Sequence, residues 1–466
     1  MAEERKEAHV LMALIPVIFL VGALFVSIVL LKQQAHIPLI LAAAVAAIVA
    51  YFLKYTWNEI QEGIIQGINM AMAAILILMI VGTMIGTWIS GGIVPSMIYY
   101  GLKILSPGIF LAATMIICSV VSLGTGSSWS TAGTVGVALV GVGQGLGIPP
   151  AMIGGAIISG AYFGDKMSPL SDTTNLAPAV AGTDLFSHIR HMVYTVTPGY
   201  IIALGLFIFL GLRFSGGLLD SQNIDIMLST MKANFFIHPI LLLPPLLVIV
   251  MVVRKVPPLP ALLGGTILGA LFAGFAQHQN LAKIIESAFS GYVSDSGVPM
   301  VDELLTRGGL MSMMETVALI ISALSFGGIM ERTGMLRVLA GALLKRVKRT
   351  GSLVATTVFS CIAMNAIAAD QFIAIVVPGR MYKNAFDAKG LHPKNLSRIL
   401  ENSGTLTSPL IPWNSCGAFM SATLGISAFV YLPYAFLNLT VPIISIIYGY
   451  TGFTMEKINK DENSYK

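Results

Sequence analysis

The sequence predicts an all-α polytopic membrane protein with about 10–12 transmembrane segments, because its composition and the length of its apolar runs fit no other class. Of the 466 residues, 56% are hydrophobic and only 11% are charged, whereas a soluble globular domain carries about 25% charged residues. Apolar runs of about 20 residues, enough for a helix to cross a bilayer, recur between Val10 and Tyr450. They lack the period-two alternation of a transmembrane barrel, so helices must satisfy the backbone amides in lipid.

The apolar runs place the spanning segments along the chain. The predicted spans are 10–31, 37–54, 68–90, 150–185, 192–214, 235–253, 258–276, 310–330, 392–428 and 430–450. Two further segments, 56–67 and 280–291, mix polar and apolar residues at helical spacing. They are predicted to be interfacial helices or connectors.

Two stretches, 107–147 and 351–386, are apolar at both ends and have a small or polar tip in the middle. The tips read Gly124-Thr-Gly-Ser-Ser-Trp-Ser-Thr131 and Asn365-Ala-Ile-Ala-Ala-Asp-Gln371. Non-helical backbone at membrane depth is tolerated only where protein or a watery cavity covers it. Both stretches are therefore predicted to be re-entrant hairpins.

An internal repeat at an offset of about 240 residues divides the chain. Ser168-Pro-Leu170 recurs as Ser408-Pro-Leu410, followed by Asn175 in the first copy and Asn414 in the second. Each copy lies downstream of one hairpin, and transporters are often built from two such inverted repeats. The predicted division is 1–67 N-terminal scaffold helices, 68–214 first inverted repeat (hairpin 107–147, broken helix 150–185), 215–309 linker and scaffold helices, 310–450 second inverted repeat (hairpin 351–386, broken helix 392–428) and 451–466 cytoplasmic tail.

Charge placement predicts the orientation in a bacterial cytoplasmic membrane. With both termini in the cytoplasm, the basic segments around Arg254-Lys255 and from Arg332 to Arg349 fall inside, as the positive-inside rule requires. The acidic loops 215–234 and 277–308 fall outside. The first hairpin then enters from outside and the second from the cytoplasm, so the two halves are antiparallel.

Each repeat contains a polar island that breaks a helix. The first is Gly164-Asp-Lys-Met-Ser-Pro-Leu-Ser-Asp-Thr-Thr-Asn175 and the second is Glu401-Asn-Ser-Gly-Thr-Leu-Thr-Ser-Pro-Leu-Ile-Pro-Trp-Asn414. Proline lacks an amide hydrogen and clashes with the preceding turn, so both helices are expected to open there. Open helices offer carbonyl oxygens to Na⁺ and helix N-termini to carboxylates, which is typical of secondary transporters.

Four acidic residues lie at predicted membrane depth, where ionisable groups are expensive and by default functional. They are Asp165, Asp172, Asp370 and Glu401, and all four are candidates for proton coupling. Asp172 and Asp370 are favoured for ion or proton chemistry. For the other two, a structural interpretation stays open: Asp165 could pair with the adjacent Lys166, and Glu401 could lie near a membrane face beside Arg398.

Neutral oxygen ligands for Na⁺ surround these acids in the sequence. The candidates are Ser127, Ser128, Thr173, Thr174, Asn175, Asn402, Thr405 and Asn414. The alternative is that these side chains satisfy opened backbone through local hydrogen bonds. No lysine follows the glycines of the first tip in a P-loop pattern, which argues against a nucleotide site.

The first polar island and the first hairpin tip together resemble the signature of the NhaC-type Na⁺/H⁺ antiporters, and the resemblance runs over nearly the whole chain. The resemblance implies membership of the ion-transporter superfamily, with two inverted repeats, an elevator motion and a homodimer. It implies one Na⁺ site at Ser127 and Ser128, facing 172–175. It implies a pseudosymmetric site that involves Asn365, Asp370, Thr405 and Asn414.

The overall sequence looks closest to the malate/lactate branch of that family, which implies uptake of Na⁺ and malate with export of H⁺ and lactate. Dicarboxylate transporters of the superfamily carry Ser-Asn-Thr at both tips, and this chain has Ser127-Ser-Trp129 and Ala369-Asp-Gln371 instead. The leading hypothesis is a Na⁺/H⁺ antiporter, with or without an organic anion, in which Na⁺ and H⁺ compete around Asp172 and Asp370.

Other function classes are less well supported. A Na⁺-coupled symporter of an organic acid or amino acid is the main alternative. A channel suits paired broken helices less well than alternating access does. An enzyme is not expected, because no nucleophile–base or metal-ligand spacing is present. No cofactor is expected beyond Na⁺ as the coupling ion, and no nucleic-acid partner.

Overall fold

The computed structural model describes residues 8–214, 221–344 and 347–458, and it describes side chains from 224 onward in the middle range. Within these ranges the chain is helical apart from turns and two isolated β-bridges, Tyr292 with Arg307 and Leu391 with Lys457. Asp220 in the predicted outer loop, Lys345 and Arg346 in the predicted basic segment, and residues 459–466 of the predicted tail lie outside the described residues. The predicted fold class, an all-α polytopic membrane protein, is confirmed.

The helices of the first half are numbered in chain order. They are α1 Val10–Leu24, α2 His36–Phe52, α3 Trp57–Met70, α4 Met72–Ser90, α5 Ile93–Ile104, α6 Pro107–Thr125, α7 Ser128–Thr131, α8 Val137–Gly145, α9 Pro150–Met167, α10 Asp172–Ala181, α11 Leu185–Leu212 and α12 Ser221–Asn234. Two π-helical segments, Phe25–Leu30 and Ala132–Gly136, continue α1 and join α7 to α8.

The helices of the second half follow a similar sequence of long and short pieces. They are α13 Leu243–Val253, α14 Pro258–Phe275, α15 Leu281–Phe289, α16 Pro299–Leu305, α17 Met314–Arg332, α18 Met335–Leu344, α19 Thr350–Ile367, α20 Gln371–Ala388, α21 Pro393–Leu400, α22 Ser415–Leu424, α23 Ala428–Tyr431 and α24 Phe436–Thr451. A π-helical segment, Glu401–Thr405, follows α21, and a 3₁₀ turn, Ser408–Leu410, precedes α22.

Seven helical spans in the described residues are long and apolar enough to cross a membrane. They are Val10–Leu30, Met72–Ser90, Pro107–Thr125, Leu185–Leu212, Pro258–Phe275, Leu310–Arg332 and Thr350–Ile367. Two helix pairs, bent by 97° and 90°, bring the number to nine if each pair is one span. The shorter apolar helices α2 and α24 coincide with the predicted segments 37–54 and 430–450, and the total of about 10–12 stays a prediction.

The first hairpin enters and leaves the protein on one side. Its arms are α6 and α8, joined through the short α7. A Cβ atom added at Gly143 in α8 would lie 2.7 Å from the ring of Phe110 in α6 and 2.6 Å from Ile153 in α9. The start of α6, the end of α8 and the start of α9 are therefore neighbours, as the prediction of a re-entrant hairpin requires.

The second hairpin, formed by α19 and α20, opens at the opposite end of the protein. Helix α11 establishes this, because it is 28 residues long and contacts one hairpin at each end. Gly182, just before α11, packs against Lys383 in α20, whereas Gly211 near its end packs against the carbonyl of Gly108 in α6. The two openings thus face opposite ways, which supports the inverted-repeat relation; the relation itself and the predicted domain boundaries stay predictions.

Helix α3 corrects one expectation. The segment 56–67, predicted as an interfacial helix or connector, packs lengthwise against α17. A Cβ atom at Gly67 would lie 2.6 Å from the carbonyl oxygen of Leu324, and one at Gly328 would lie 2.2 Å from that of Gly63. The glycines therefore let two backbones touch, as small residues do at membrane helix interfaces. The mixed polarity reflects a helix that is half packed and half exposed.

We expect Gly328→Leu to destabilise the α3–α17 contact by about 1–3 kcal/mol or more, because the added side chain has no room. The same change at Gly205 in α11 is the matched control, because a Cβ atom there meets nothing within 4 Å. Thermal unfolding of the detergent-purified protein, followed by the loss of the monodisperse elution peak, measures both. Equal melting temperatures for the two variants would contradict the close contact.

Candidate functional site

A cavity of about 350 Å³ lies where the first hairpin tip, the first helix break and the start of α20 meet. The beginning of α4 and the 252–258 segment complete its wall. Its lining side chains with polar groups are Thr125, Ser127, Trp129, Asp165, Ser171, Asp172, Thr173, Lys255 and Gln371. Oxygen atoms and carboxylates dominate this set, which suits a hard cation such as Na⁺ better than a soft metal.

The hairpin tip reaches the helix break because two of its residues are small. Gly126 has φ 68°, and a Cβ atom there would lie 2.7 Å from Leu170 Cβ. Ser127 follows in extended conformation, and its Oγ accepts the Ser130 amide proton at 3.1 Å, which starts α7. Only glycine adopts both this φ and this close approach without strain.

Asp165 connects the break to the tip. Its Oδ2 accepts hydrogen bonds from the Ser128 amide at 3.1 Å and from the Ser128 hydroxyl at 2.6 Å. The carboxylate is 9% exposed and borders the cavity. The proposed pairing of Asp165 with Lys166 is therefore wrong, because neighbouring residues of a helix point in different directions.

Lys166 points away from the cavity into the protein. It is fully buried, and its Nζ donates a hydrogen bond to Asn402 Oδ1. The Nδ2 of Asn402 donates in turn to Thr195 Oγ1 at 2.9 Å and to Ser445 Oγ at 2.8 Å. A buried lysine thus ties the first helix break to the π-helical segment after α21.

Glu401 lies beside this network and is also fully buried. Its Oε1 accepts a hydrogen bond from Thr173 Oγ1 at 3.0 Å, while its Oε2 has no partner among the described residues. Lys166 is a nearby buried cation, although the two form no ion pair in the described part of the chain. Arg398 forms no ion pair with Glu401 and instead donates to Thr454 Oγ1 at 2.9 Å, while the depth of Glu401 in the membrane stays a prediction.

The second hairpin tip meets the second break through amide groups. Asn414 Nδ2 donates to the backbone oxygen of Asn365 at 3.0 Å and to its Oδ1 at 3.1 Å. Asp370 caps α20, accepting the amide protons of Phe372 and Ile373 on Oδ1, while Ser415 Oγ donates to Oδ2 at 3.4 Å. Three members of the predicted second site, Asn365, Asp370 and Asn414, therefore lie close together. Asp370 and Asn414 cap the N-termini of α20 and α22.

Other predicted ligands lie apart from these contacts. Thr405 is buried four residues after Glu401 and lies beside that carboxylate, away from the second hairpin tip. Thr174 donates to the carbonyls of Asp165 and Lys166, and the exposed Asn175 donates to those of Pro169 and Ser171. Both satisfy opened backbone, as the alternative interpretation proposed.

Asp172 is exposed on the cavity wall at the first position of α10. Its predicted position at membrane depth stays a prediction. The hydroxyl of the neighbouring Ser171 starts α10 by accepting the Thr174 amide proton. Asp172 can meet an ion in the cavity, but Asp165 is the buried acid that borders it.

An aromatic stack closes the cavity toward the other side of the protein. The ring of Trp129 at the first tip lies 4.0 Å from that of Phe419 in α22, with an interplanar angle of 16°. Trp129 lines the cavity described above, whereas Ala422, one turn beyond Phe419, lines a second cavity. The stack therefore separates two cavities on opposite sides of the hairpin tips.

Re-entrant hairpins, broken helices and a polar cavity between them define a secondary membrane transporter. The chain belongs to the Na⁺/H⁺ antiporter family, whose sequence profile matches residues 160–453. It is 38% identical over 453 residues to the Na(+)/H(+) antiporter NhaC of Alkalihalophilus pseudofirmus, covering 97% of this chain and 98% of that protein. The resemblance seen in the sequence is thereby confirmed at the level of the family.

Relatives with other names are equally similar. The chain is 38% identical to the Malate-2H(+)/Na(+)-lactate antiporter of Bacillus subtilis, covering 93% of this chain and 94% of that protein. It is 37% identical to the Arginine/ornithine antiporter ArcD of Halobacterium salinarum, covering 97% and 94%. Overall identity thus does not distinguish among these three names.

Sequence reasoning missed the buried lysine network and two polar groups of the cavity wall. Lys166 was treated only as a neighbour of Asp165, although the helix geometry of adjacent residues already argued against that pairing. Lys255 was used only to orient the chain, and Gln371 only to mark the second tip. No sequence signal brings these two residues to the first hairpin tip, because Lys255 and Gln371 lie 128 and 244 positions after Ser127.

Proposed function

We propose that the protein is a secondary active transporter that exchanges Na⁺ for H⁺ across the bacterial cytoplasmic membrane. The observation that carries the proposal is the position of Asp165, a buried carboxylate at the contact between hairpin tip and helix break that still borders a polar cavity. Family membership supports the same activity. Na⁺ is the coupling ion, and no other cofactor is part of the proposal.

Asp165 gives Na⁺ and H⁺ a common binding group. Either cation neutralises the carboxylate, and the binding of one displaces the other. Thr125 and Ser127 line the cavity next to it and offer oxygen atoms to a bound Na⁺. The Ser128 amide and hydroxyl hold the carboxylate in place in both states.

The cost of an uncompensated charge supplies the coupling. Moving the hairpins and broken helices with an empty, ionised Asp165 would carry a bare charge through the low-dielectric layer. Loading by Na⁺ or by H⁺ removes that charge and permits the movement. Each passage therefore carries one cation species or the other, which is exchange.

The cavity is proposed to open to the cytoplasm. Lys255 lies on its rim, and the positive-inside rule places the basic segment 254–255 on that side, together with both termini. The Trp129–Phe419 stack then closes the outward path. A homodimer working by an elevator motion of the two repeats is part of the same proposal.

An organic substrate is the second component. The cavity wall contains a cationic Lys255 and an amide at Gln371, groups that can bind a carboxylate. The names of two relatives include malate, lactate, arginine and ornithine. Exchange of malate and lactate is the first candidate, and Na⁺-coupled symport of an organic or amino acid without proton exchange is the alternative.

Purified protein in liposomes loaded with a pH-sensitive dye tests the proposal. We expect an imposed Na⁺ gradient to drive proton movement of opposite direction, and protein-free liposomes are the control. The measurement is repeated with malate outside and lactate inside. Proton movement with Na⁺ alone identifies a plain exchanger, and proton movement only with the organic acids identifies the coupled form. Substrate uptake driven by Na⁺ without proton movement would replace the proposal by the symporter.

A further inference from the structure

The second cavity, on the far side of the Trp129–Phe419 stack, has a volume of about 730 Å³. Its wall is formed by the end of α8, the loop between α15 and α17, and the end of α22. Ile85 of α4 lines it, whereas Ala73 and Ala74 at the start of α4 line the first cavity. The two cavities therefore lie toward opposite ends of α4. This volume is within the range of small-molecule binding sites, about 300–1,000 Å³.

Arg307 supplies a cationic group to this cavity. Its side chain makes one hydrogen bond among the described residues, a long one of 3.5 Å from Nη2 to the Thr423 carbonyl at the end of α22. A guanidinium has five N–H donors, so most of its capacity is unused. None of the described carboxylates forms an ion pair with it.

The nearby acids do not neutralise Arg307. Asp302 accepts hydrogen bonds from the Ser294 hydroxyl at 2.8 Å and from the Ser296 amide at 2.7 Å, so its carboxylate is already used. Glu303 is exposed on the cavity wall. Partial burial lowers the pKa of Arg307. An arginine remains protonated, so its guanidinium brings a positive charge to the cavity, and Glu303 on the same wall forms no ion pair with it.

The backbone holds Arg307 rigidly in this position. Its amide and carbonyl form both bonds of an antiparallel bridge with Tyr292, at 3.1 and 3.2 Å. Gly308 and Gly309 follow with φ 84° and 83°, and the Gly309 amide donates to the Gly82 carbonyl of α4 at 2.7 Å. The backbone at Arg307 is therefore fixed at the cavity wall, from which the guanidinium extends.

We propose that the second cavity is a binding site for a small carboxylate, held by the Arg307 guanidinium. A planar guanidinium binds a carboxylate through two parallel hydrogen bonds. The single contact with the Thr423 carbonyl leaves enough N–H donors of Arg307 free to form them. The site lies at the end of α22, whose first residues meet the second hairpin tip. It is the point at which an organic anion reaches the protein from the side opposite the Lys255 cavity. The inference does not depend on Na⁺/H⁺ exchange.

Cysteine protection in the full-length protein tests the site with malate as the probe. Ser312 is exposed and lines the cavity, and Cys118, Cys361 and Cys416 are all buried, so Ser312→Cys adds one accessible thiol. We expect saturating malate to slow maleimide labelling of that thiol about tenfold, as 90% occupancy would give. The unsubstituted protein measures background labelling, and NaCl of equal ionic strength measures screening.

Arg307→Gln separates anion binding from helix capping. A glutamine amide can still donate to the Thr423 carbonyl, but it lacks the charge and the fork, so we expect malate protection to disappear while the melting temperature stays within a few degrees. Arg332→Gln is the matched control, because Arg332 pairs with Glu62 away from the cavity and its loss should leave protection intact. If Arg307→Gln does not fold, Arg307→Lys retains the charge and should weaken protection.

Three results would overturn the site. One is unchanged labelling in malate, and another is equal slowing by NaCl. The third is malate protection that persists in Arg307→Gln. Each of these can occur whether or not the protein exchanges Na⁺ for H⁺, so failure here is distinct from failure of the proposed function.

Discussion

Asp165→Asn is expected to reduce Na⁺-driven proton movement by at least about 100-fold, to the level of protein-free liposomes, because it removes the one group that both cations share. Asparagine has the same shape and still accepts hydrogen bonds from the Ser128 amide and hydroxyl through its Oδ1. The fold should therefore persist while the exchangeable charge is lost. The liposome dye assay measures the activity, and size-exclusion elution measures the fold.

Asp172→Asn is the matched control for this result. Asp172 lines the same cavity but is exposed, whereas Asp165 is buried and hydrogen-bonded to Ser128 at the hairpin tip. We expect a change of a few-fold in the apparent affinity for Na⁺, with the maximal rate retained. If Asp172→Asn abolished exchange and Asp165→Asn did not, the first interpretation of the sequence would be right and the assignment to Asp165 wrong.

The hairpins and helix breaks could be predicted because their signals are local. Glycine, proline and hydroxyl residues interrupt long apolar runs at 124–131, 164–175 and 401–414, and such interruptions survive in a membrane only where protein covers them. The structure places a hairpin or an opened helix at each of these segments. Helix α3 was misjudged for the converse reason, since its contact depends on glycines that no hydropathy pattern reports.

The direction of each side chain could not be predicted in the same way. Asp165 and Lys166 are adjacent in the chain, yet the first bonds Ser128, 37 positions away, and the second bonds Asn402, 236 positions away. Asn175 looked like an ion ligand but binds carbonyls within six positions of itself. Long-range packing decides whether a short polar side chain near opened backbone binds an ion or a backbone carbonyl, and the sequence does not reveal that packing.

Lys166→Met is expected to destabilise the protein by about 1–3 kcal/mol, because it leaves a buried hydrogen-bond acceptor without its donor. Methionine matches the lysine stem in size but leaves Asn402 Oδ1 without its donor and Glu401 without its neighbouring cation. The melting temperature of the detergent-purified protein measures the effect. Lys103→Met is the control, since Lys103 is exposed at the end of α5.

The double variant Lys166→Met/Glu401→Gln distinguishes a charge pair from two independent sites. If Lys166 compensates Glu401, neutralising both should recover much of the lost stability, and the two single changes should not be additive. Additive losses, or wild-type stability of Lys166→Met, would contradict the pairing. Such a pairing also has a functional consequence. If Lys166 offsets the charge of Glu401, then Asp165 is the group whose binding of Na⁺ or H⁺ changes the net charge at the first helix break. In that case the double variant Lys166→Met/Glu401→Gln should retain Na⁺-driven proton movement. Asp165→Asn should abolish it both in the wild-type protein and in the double variant.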